Sequence, residues 1–170
     1  MTAARKTPSN IIAASRDLVQ RHEGRRQFPH YDTRGKLTIA VGRNLNDRGL
    51  ADDEIDYLFA NDLIIALQIC QDLYPCFVSF TPARQAALIS MAFNLGKPRL
   101  AGFRRMRAAI NRGNWQGAAD EAENSLWARQ TRHRATDVAA RLRGVHKPQK
   151  WRENMPLICC GLLGEDRLGA

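Results

Sequence analysis

Apolar residues recur every three or four positions along most of this 170-residue chain, the spacing that places them on one face of an α-helix. The first such segment carries its apolar side chains at Ile11, Ile12, Leu18 and Val19. Before it, Thr7-Pro8 supplies a capping hydroxyl and a proline where a helix needs no N–H donor. Gly24 is the residue type that most often ends a helix. The pattern therefore predicts a helix over residues 8–22 that ends near Glu23.

The pattern changes between residues 25 and 45, where turn-forming residues separate short runs of β-favouring residues. Asp32-Thr33-Arg34-Gly35 is a turn sequence in which Gly35 supplies a positive φ, and a run rich in β-branched residues follows it at residues 37–41. We predict a β-hairpin here and a second turn at residues 46–49. Helical spacing resumes at Asp52 and continues to about residue 71, in the longest helix that the sequence predicts.

The remainder of the chain is predicted to be helical. Thr81-Pro82 begins a segment of small and apolar residues, typical of the buried centre of a helix bundle, which is expected to end within residues 94–98. Shorter helices are predicted over residues 100–112, 114–124, 125–130 and 134–143. Together these elements predict a mainly helical α+β fold.

The length suits a single domain, which we assign to residues 1–151. Within it we expect a β-containing part at about residues 23–50 and a connecting helix at about 52–71. A helical part is expected to combine residues 81–151 with the N-terminal helix over 8–22. Residues 152–170 have a weak pattern and are predicted to form a loosely ordered tail.

The net charge of +9 is distributed unevenly. Residues 1–81 carry equal numbers of basic and acidic side chains, whereas residues 82–152 carry fifteen basic and four acidic ones. A field of this sign attracts polyanions such as nucleic acid, anionic lipid or an anionic cell-wall polymer. A solvated basic face with no specific partner is the simpler interpretation.

The four cysteines match no zinc-binding spacing, and no metal or cofactor is expected. Cys70 lies in an apolar helical run and is predicted to be buried, whereas Cys159-Cys160 falls in the tail. Residues 1–10 lack the apolar run of a secretory signal, so we expect a protein that stays in the cytoplasm until something else releases it. No segment approaches the length of a membrane-spanning helix.

Two carboxyl groups and a hydroxyl near the predicted hairpin suggest glycoside hydrolysis. That reaction needs a carboxylic acid to protonate the leaving oxygen, and Glu23 is predicted at a helix C-terminus, whose partial negative charge disfavours the ionised form. A second carboxylate handles water, a role that suits Asp32 in a solvated turn. Thr38, six residues further on, is placed to help hold that water. Each residue alone is more often a surface, turn or strand residue without a function.

This segment resembles the phage-type lysozymes, also called endolysins or muramidases, of glycoside hydrolase family 24. Their pattern of Glu-Gly, an Asp-Thr-x-Gly turn and Thr-Ile-Gly-x-Gly occurs here as Glu23-Gly24, Asp32-Thr33-Arg34-Gly35 and Thr38-Ile39-Ala40-Val41-Gly42. The resemblance covers about residues 9–151 and includes Met91-Ala92-Phe93-Asn94-Leu95-Gly96 and Trp127-Ala128-Arg129-Gln130-Thr131. The chain departs from the pattern at Ala40, where the family commonly has Gly, and at Arg43, where some members have His.

The resemblance implies a two-lobed lysozyme-like fold, with a small β-hairpin lobe and a helical lobe joined by a long helix. It implies hydrolysis of the β-1,4 bond between N-acetylmuramic acid and N-acetylglucosamine in peptidoglycan, with inversion at the anomeric carbon. Glu23 would be the general acid, and Asp32 and Thr38 would position or activate water. Phe103, Gln130 and Arg134 would bind substrate, with Arg134 approaching Glu23.

In the family's setting, the protein would lyse its host, leaving the cytoplasm for the periplasm through a holin-type pore. We expect a monomer whose basic C-terminal half also meets anionic lipopolysaccharide or a membrane surface. The alternative hypothesis is a small basic helical protein that binds nucleic acid or disrupts anionic membranes without catalysis. No nucleic-acid recognition pattern stands out, and that hypothesis leaves Glu23, Asp32 and Thr38 unexplained.

Overall fold

The structure is a computed structural model that describes residues 9–145. The predicted helix start at Thr7-Pro8 and the predicted tail over 152–170, with Cys159-Cys160, lie outside the described residues. The described residues form a mainly helical α+β fold, which confirms the predicted fold class. They divide into two compact units, with the boundary after Asp56.

The first unit contains one helix, a small sheet and the first residues of a second helix. Its elements are α1 (Ser9–Glu23), β1 (Arg26–Tyr31), β2 (Leu37–Ala40), β3 (Arg43–Asn44) and the start of α2 (Asp52–Leu73). The predicted apolar face of α1 is about half exposed at each of its four large side chains, Ile11, Ile12, Leu18 and Val19.

The sheet is antiparallel, and β2 is its central strand. Thr38 on β2 stands opposite His30 of β1 on one side and Asn44 of β3 on the other. The pairing of β1 is irregular between Arg26 and His30, a stretch that contains Pro29. A proline cannot donate a ladder hydrogen bond, and an edge strand such as β1 is where a sheet tolerates it.

The second unit contains the rest of α2 and five further helices among the described residues. They are α3 (Pro82–Ala101), α4 (Arg104–Asn111), α5 (Trp115–Glu123), α6 (Leu126–Gln130) and α7 (Arg132–Arg143). A single 3-10 turn, Phe77–Ser79, links α2 to α3. Thr81 and Pro82 begin α3 as predicted, since Pro at the first helical position lacks only an N–H that has no partner there.

The core of the second unit is built from α3, α5 and α7 around a few large side chains. Alanines line the buried faces of α5 and α7, and their small size lets the two helices pack closely. The largest fully buried apolar residues include Leu88, Met91, Met106 and Leu142. Each such side chain stabilises the fold by roughly 1.5–3 kcal/mol relative to leaving it in water. The third helix contributes five buried residues to this core, whereas Ala86 and Phe93 of its apolar segment are exposed, so its predicted burial is confirmed only in part.

The helical geometry of α3 is broken at Gly96 (φ 69°, ψ 169°), which confirms the predicted end within residues 94–98. A second short helical stretch follows at once and ends at Ala101, because Pro98 stands near its start and needs no N–H partner there. Two later helix starts differ from the prediction. The next helix consequently begins at Arg104 instead of residue 100. α7 begins at Arg132 instead of residue 134, because Thr131 both closes α6 and accepts the first hydrogen bonds of α7.

The division into units places α1 with the hairpin, whereas we grouped it with the helical part. That grouping concerns the arrangement of the whole chain and stays a prediction. Cys70 is fully buried as predicted, and burial raises the pKa of its thiol to about 12. Cys70 and the exposed Cys76 are both free thiols. No helix in residues 9–145 combines the length and the apolar character needed to cross a bilayer.

Candidate active site

Glu23 is the last residue of α1, as predicted. The helix ends there because Gly24 adopts a left-handed conformation (φ 72°) while its N–H still donates to the carbonyl of Gln20 at 3.0 Å. The Glu23 side chain is exposed, and it lies against the turn between β2 and β3. Its Oε2 atom is 3.3 Å from the point that a Cβ atom would occupy on Gly42. The end of the first helix and the end of the hairpin therefore meet at this carboxylate.

Two residues of that turn have left-handed backbones. Gly42 has φ 76°, and Ala40 has φ 59°. The left-handed region costs a residue with a Cβ atom roughly 1–2 kcal/mol relative to glycine. This strain explains why the family pattern that the chain resembles commonly has Gly at the position of Ala40.

Asp32 caps the turn that joins β1 to β2. Its N–H donates to the carbonyl of Lys36 at 2.9 Å, and its own carbonyl accepts from Gly35 at 3.0 Å. Its Oδ1 accepts backbone N–H groups of Lys36 and Arg34, each at 2.8 Å. The bond from Lys36, followed by that from Arg34 and the charges of both residues, lowers the pKa of Asp32 below its usual value. Asp32 is therefore a fixed carboxylate, and Oδ2 takes part in none of the hydrogen bonds of the described residues.

Thr38 is buried in the centre of the sheet, with 6% of its surface exposed. Its Oγ1 donates to the carbonyl of Lys36 at 3.2 Å, and the same carbonyl accepts the N–H of Asp32. The peptide group of Lys36 thus connects Asp32 and Thr38. The hydroxyl oxygen retains its acceptor lone pairs for another donor.

The three predicted catalytic residues therefore lie in one compact unit, in two groups. Asp32 and Thr38 share the Lys36 peptide at one end of β2, while Glu23 lies beside Gly42 beyond the other end. No hydrogen bond joins the three side chains to one another among the described residues. A shallow concavity is lined by residues 25–30, which follow Glu23 in the chain. Phe28 within it and Tyr31 next to it expose 78% and 74% of their surfaces.

The predicted substrate-binding residues belong to the second unit. Phe103 is half-buried and packs its ring edge-on against Trp127, with the centroids 6.2 Å apart. Gln130 ends α6 with its side chain exposed, and Arg134 is exposed in the first turn of α7. The predicted approach of Arg134 to Glu23 stays a prediction.

Sequence-based reasoning did not identify the two residues that anchor the hairpin turn, Arg43 and Glu54. Arg43 binds both carboxylate oxygens of Glu54, with Nη1 2.7 Å from Oε2, and also donates to the carbonyl of Gly49 at 3.1 Å. Glu54 in turn accepts the N–H of Ala51 at 2.9 Å, which is the principal cause of its lowered pKa, followed by Arg43. A Glu three residues after a helix cap is a recognisable capping signal, and it could have identified Glu54 as a structural residue. The partnership with Arg43 depends on the fold.

No cluster of three or more His, Cys, Asp or Glu side chains suited to a metal ion occurs within residues 9–145. The chemistry available at this site is that of carboxylates, a hydroxyl and backbone N–H groups. One compact unit thus contains an exposed carboxyl group at Glu23 and a second carboxyl group at Asp32 whose pKa is lowered, and two carboxyl groups are what cleavage of a glycosidic bond requires.

Comparison with known proteins gives a match to the family model described as phage lysozyme, over residues 20–143. A probable T4-type lysozyme of Dictyostelium discoideum is 24% identical, over 75% of this chain and 92% of that protein. The pre-baseplate central spike protein Gp5 of Enterobacteria phage T4 is 26% identical over 78% of this chain. The match covers only 28% of that spike protein, so this chain resembles one part of it.

Proposed function

The chain belongs to the phage lysozyme family, and we propose that it hydrolyses the β-1,4 bond between N-acetylmuramic acid and N-acetylglucosamine in peptidoglycan. The observation that carries the proposal is the presence of an exposed Glu23 and a fixed Asp32, whose pKa is lowered, in one compact unit inside the matched residues. The likeness to a probable T4-type lysozyme over nearly its whole length supports the same activity.

In this proposal Glu23 is the general acid that protonates the leaving glycosidic oxygen. Its exposure lets it reach a polymer, and the bare backbone of Gly42 leaves room for its carboxyl group. A positioned general acid contributes about 10²–10⁴-fold to the rate of such a reaction.

Asp32 is the carboxylate that orients or activates the attacking water, with Thr38 assisting. The backbone N–H groups of Lys36 and Arg34 hold Oδ1 and keep the group ionised, so Oδ2 is the oxygen that would bind water. The Thr38 hydroxyl, fixed to the carbonyl of Lys36, would accept a hydrogen bond from the same water. Inversion at the anomeric carbon follows if that water attacks opposite the leaving group.

We assign the substrate polymer to contacts with Phe103, Gln130 and Arg134, in addition to the exposed Phe28 and Tyr31. Gln130 and Arg134 are exposed, polar and close in sequence at the junction of α6 and α7. Exposed aromatic rings next to a catalytic carboxyl offer apolar contact surface to sugar rings.

The biological role we propose is lysis of a bacterial host, with release from the cytoplasm to the periplasm through a holin-type pore. The likeness to part of a phage spike protein suggests a different use of the same chemistry, in which the enzyme is carried on the virion. Mass spectrometry of purified particles distinguishes the two roles, because a lysis enzyme is absent from the particle and a virion component is present in fixed stoichiometry.

The test of the activity compares the wild type with Glu23→Gln on purified peptidoglycan, with release of reducing sugar ends as the measurement. We expect a loss of at least about 10²-fold for Glu23→Gln. Glu121→Gln, which removes an equivalent charge on α5, is the matched control and should retain full activity. Asp32→Asn should lose most activity while folding normally.

Clearing of permeabilised Gram-negative cells provides the second measurement. If Glu23→Gln clears these cells as fast as the wild type, catalysis is not the cause of lysis, and membrane disruption takes its place. If Glu23→Gln is inactive but Asp32→Asn is fully active, the role given to Asp32 is wrong while the glycosidase activity stands.

A further inference from the structure

A long stretch of the second unit carries no negative charge. No Asp or Glu occurs between Asp72 and Asp120, although seven Lys and Arg residues do. The helix α4 lies in the middle of this stretch. The nearest acidic residues along the chain are Asp72, which is 32 residues before Arg104, and Asp120, which is eight residues after Arg112.

The geometry of α4 separates its arginines from its core-facing side. Met106, Ala109 and Ile110 are buried, and they define the inner face of the helix. Arg104, at the start of the helix, and Arg112, the residue just after its end, are both exposed. Arg105 is adjacent and also exposed. We call Arg104, Arg105 and Arg112 the α4 arginine patch.

Arg107 shows how an arginine of the same helix behaves when it is structural. Its guanidinium turns inward and donates to the carbonyls of Ala101 and Leu73, each at 3.3 Å. None of the three patch arginines has a side-chain hydrogen bond or an ion pair with any of residues 9–145. Arg107 therefore stabilises the fold, whereas the α4 arginine patch is exposed to solvent.

The other basic region of this unit is partly neutralised. Arg143 pairs with Asp120 and Glu123, each at 2.6 Å, and Arg141 pairs with Asp137 at 3.0 Å. The stretch around α4 differs from that region because it contains no acidic side chain that could offset its arginines. The positive field of such a stretch favours a partner that carries several negative charges on one surface.

We propose that the α4 arginine patch binds the headgroup phosphates of an anionic phospholipid bilayer, holding the protein at the membrane surface without inserting into it. Guanidinium groups pair with phosphate oxygens through two parallel hydrogen bonds. We do not expect insertion into the bilayer, because residues 94–125 expose no large apolar side chain that could enter it. Electrostatic attraction alone is reversible and falls with salt.

A bilayer is favoured over nucleic acid by the place where the enzyme acts. This choice rests on the proposed function, since the peptidoglycan of a Gram-negative cell lies between two membranes. Binding to a bilayer depends on the α4 arginine patch and not on catalysis. The groove of a nucleic acid would also contact only a small part of α4, because this helix has eight residues and its apolar side is buried. Attachment to the membrane would keep the enzyme next to its polymer after each cleavage.

Co-sedimentation with large unilamellar vesicles tests the proposal. Vesicles of phosphatidylglycerol and phosphatidylethanolamine in equal parts should bind the wild type at low salt, and vesicles of phosphatidylcholine should not. Arg104→Gln/Arg112→Gln should weaken partitioning about 30-fold, from about 1 kcal/mol for each arginine near an anionic surface. Glu23→Gln should bind vesicles as the wild type does, which keeps this result separate from the proposed catalysis.

The matched control is Arg16→Gln/Arg48→Gln, which removes the same charge from exposed positions of the first unit. It should bind vesicles within about two-fold of the wild type, and both double variants should keep the wild-type kcat on purified peptidoglycan at saturating substrate. An equal loss in the two double variants would overturn the proposal in favour of net charge alone. Displacement of the protein from vesicles by equimolar duplex DNA phosphate would overturn it in favour of nucleic acid.

Discussion

Gly42 lies against the carboxyl group that we propose as the general acid. A side chain at Gly42 would adopt a strained left-handed backbone, and its Cβ atom would stand 3.3 Å from Glu23 Oε2, so the carboxyl group would have to shift by a few tenths of an ångström. The family pattern contains this glycine, but the pattern alone does not say what the glycine is for. The contact with Glu23 offers a reason, because a Cβ atom at this position would press on the carboxyl group of the proposed general acid.

Gly42→Ala should therefore lose both stability and activity. Left-handed strain should cost about 1–2 kcal/mol of unfolding free energy, and displacement of the Glu23 carboxyl should lower peptidoglycan hydrolysis by at least about ten-fold. Gly49→Ala is the control, since Gly49 has φ 61° but open space around its missing side chain. It should lose similar stability and keep its activity. Equal activity in the two variants would show that the contact with Glu23 has no catalytic consequence.

Asp32 gives a prediction for the dependence of stability on pH. Because its folded-state pKa lies below the ordinary value of 3.8, its stabilising contribution is complete above that pH and is lost as the pH falls through the lowered value. The difference in unfolding free energy between the wild type and Asp32→Asn should thus be constant near neutral pH and shrink in strong acid. Denaturant titrations from about pH 6 to about pH 2.5 measure it. A difference that grows in acid contradicts the assignment.

At the scale of elements, a hydrogen bond fastens the short helix α6 to the central helix α3. The indole N–H of Trp127, which is 5% exposed, donates to Oδ1 of Asn94 at 2.7 Å. Trp127 also holds the ring of Phe103 edge-on. A five-residue helix has little stability of its own, so these contacts decide where Gln130, at its end, is placed.

Asn94→Ala should leave the indole N–H of Trp127 without its partner and destabilise the protein by about 1–3 kcal/mol. Guanidinium denaturation with tryptophan fluorescence measures the loss. Asn124→Ala removes an exposed amide at the end of α5 and should change the unfolding free energy by less than about 0.5 kcal/mol. If both variants lose the same unfolding free energy, the hydrogen bond between Trp127 and Asn94 stabilises the protein no more than an exposed amide does.

At the scale of the whole molecule, charge and chemistry are separated along the chain. The predicted catalytic residues lie in the electrically balanced residues 1–81, and the excess positive charge lies in residues 82–152. In the function that we propose, a polymer with many carboxylates, such as peptidoglycan, is attracted by the second part and cleaved by the first. Binding and catalysis should consequently respond differently to salt.

We expect kcat/KM on purified peptidoglycan to fall several-fold between about 0.01 M and 0.15 M salt, over which the screening length drops from about 30 Å to about 8 Å. At saturating substrate, kcat should change little, because the catalytic carboxyls act at short range. Peptidoglycan whose stem carboxylates have been amidated is the control and should show a weak salt response. A fall in kcat alone would place the salt effect in the chemistry instead of in binding.

Much of this protein is determined by the sequence itself. Helical periodicity gave most helices to within a few residues, turn chemistry located the hairpin, and the spacing of Glu23, Asp32 and Thr38 indicated the family and enzyme class that the family match confirms. These features are local, since they depend on side chains a few positions apart. The helix starts that differ from the prediction, at Arg104 and Arg132, lie where one helix is followed closely by another, so the packing of the chain decides where each begins.

Only the tertiary structure decided the features that join distant residues. The approach of Gly42 to Glu23, the pairing of Arg43 with Glu54 and the single carbonyl of Lys36 that binds both Asp32 and Thr38 all depend on backbone direction after folding. The same holds for the arginines, which are alike in sequence but differ in exposure and pairing. Periodicity specifies which face of an element is apolar, whereas the partner that a polar group meets is set by the packing of the whole chain.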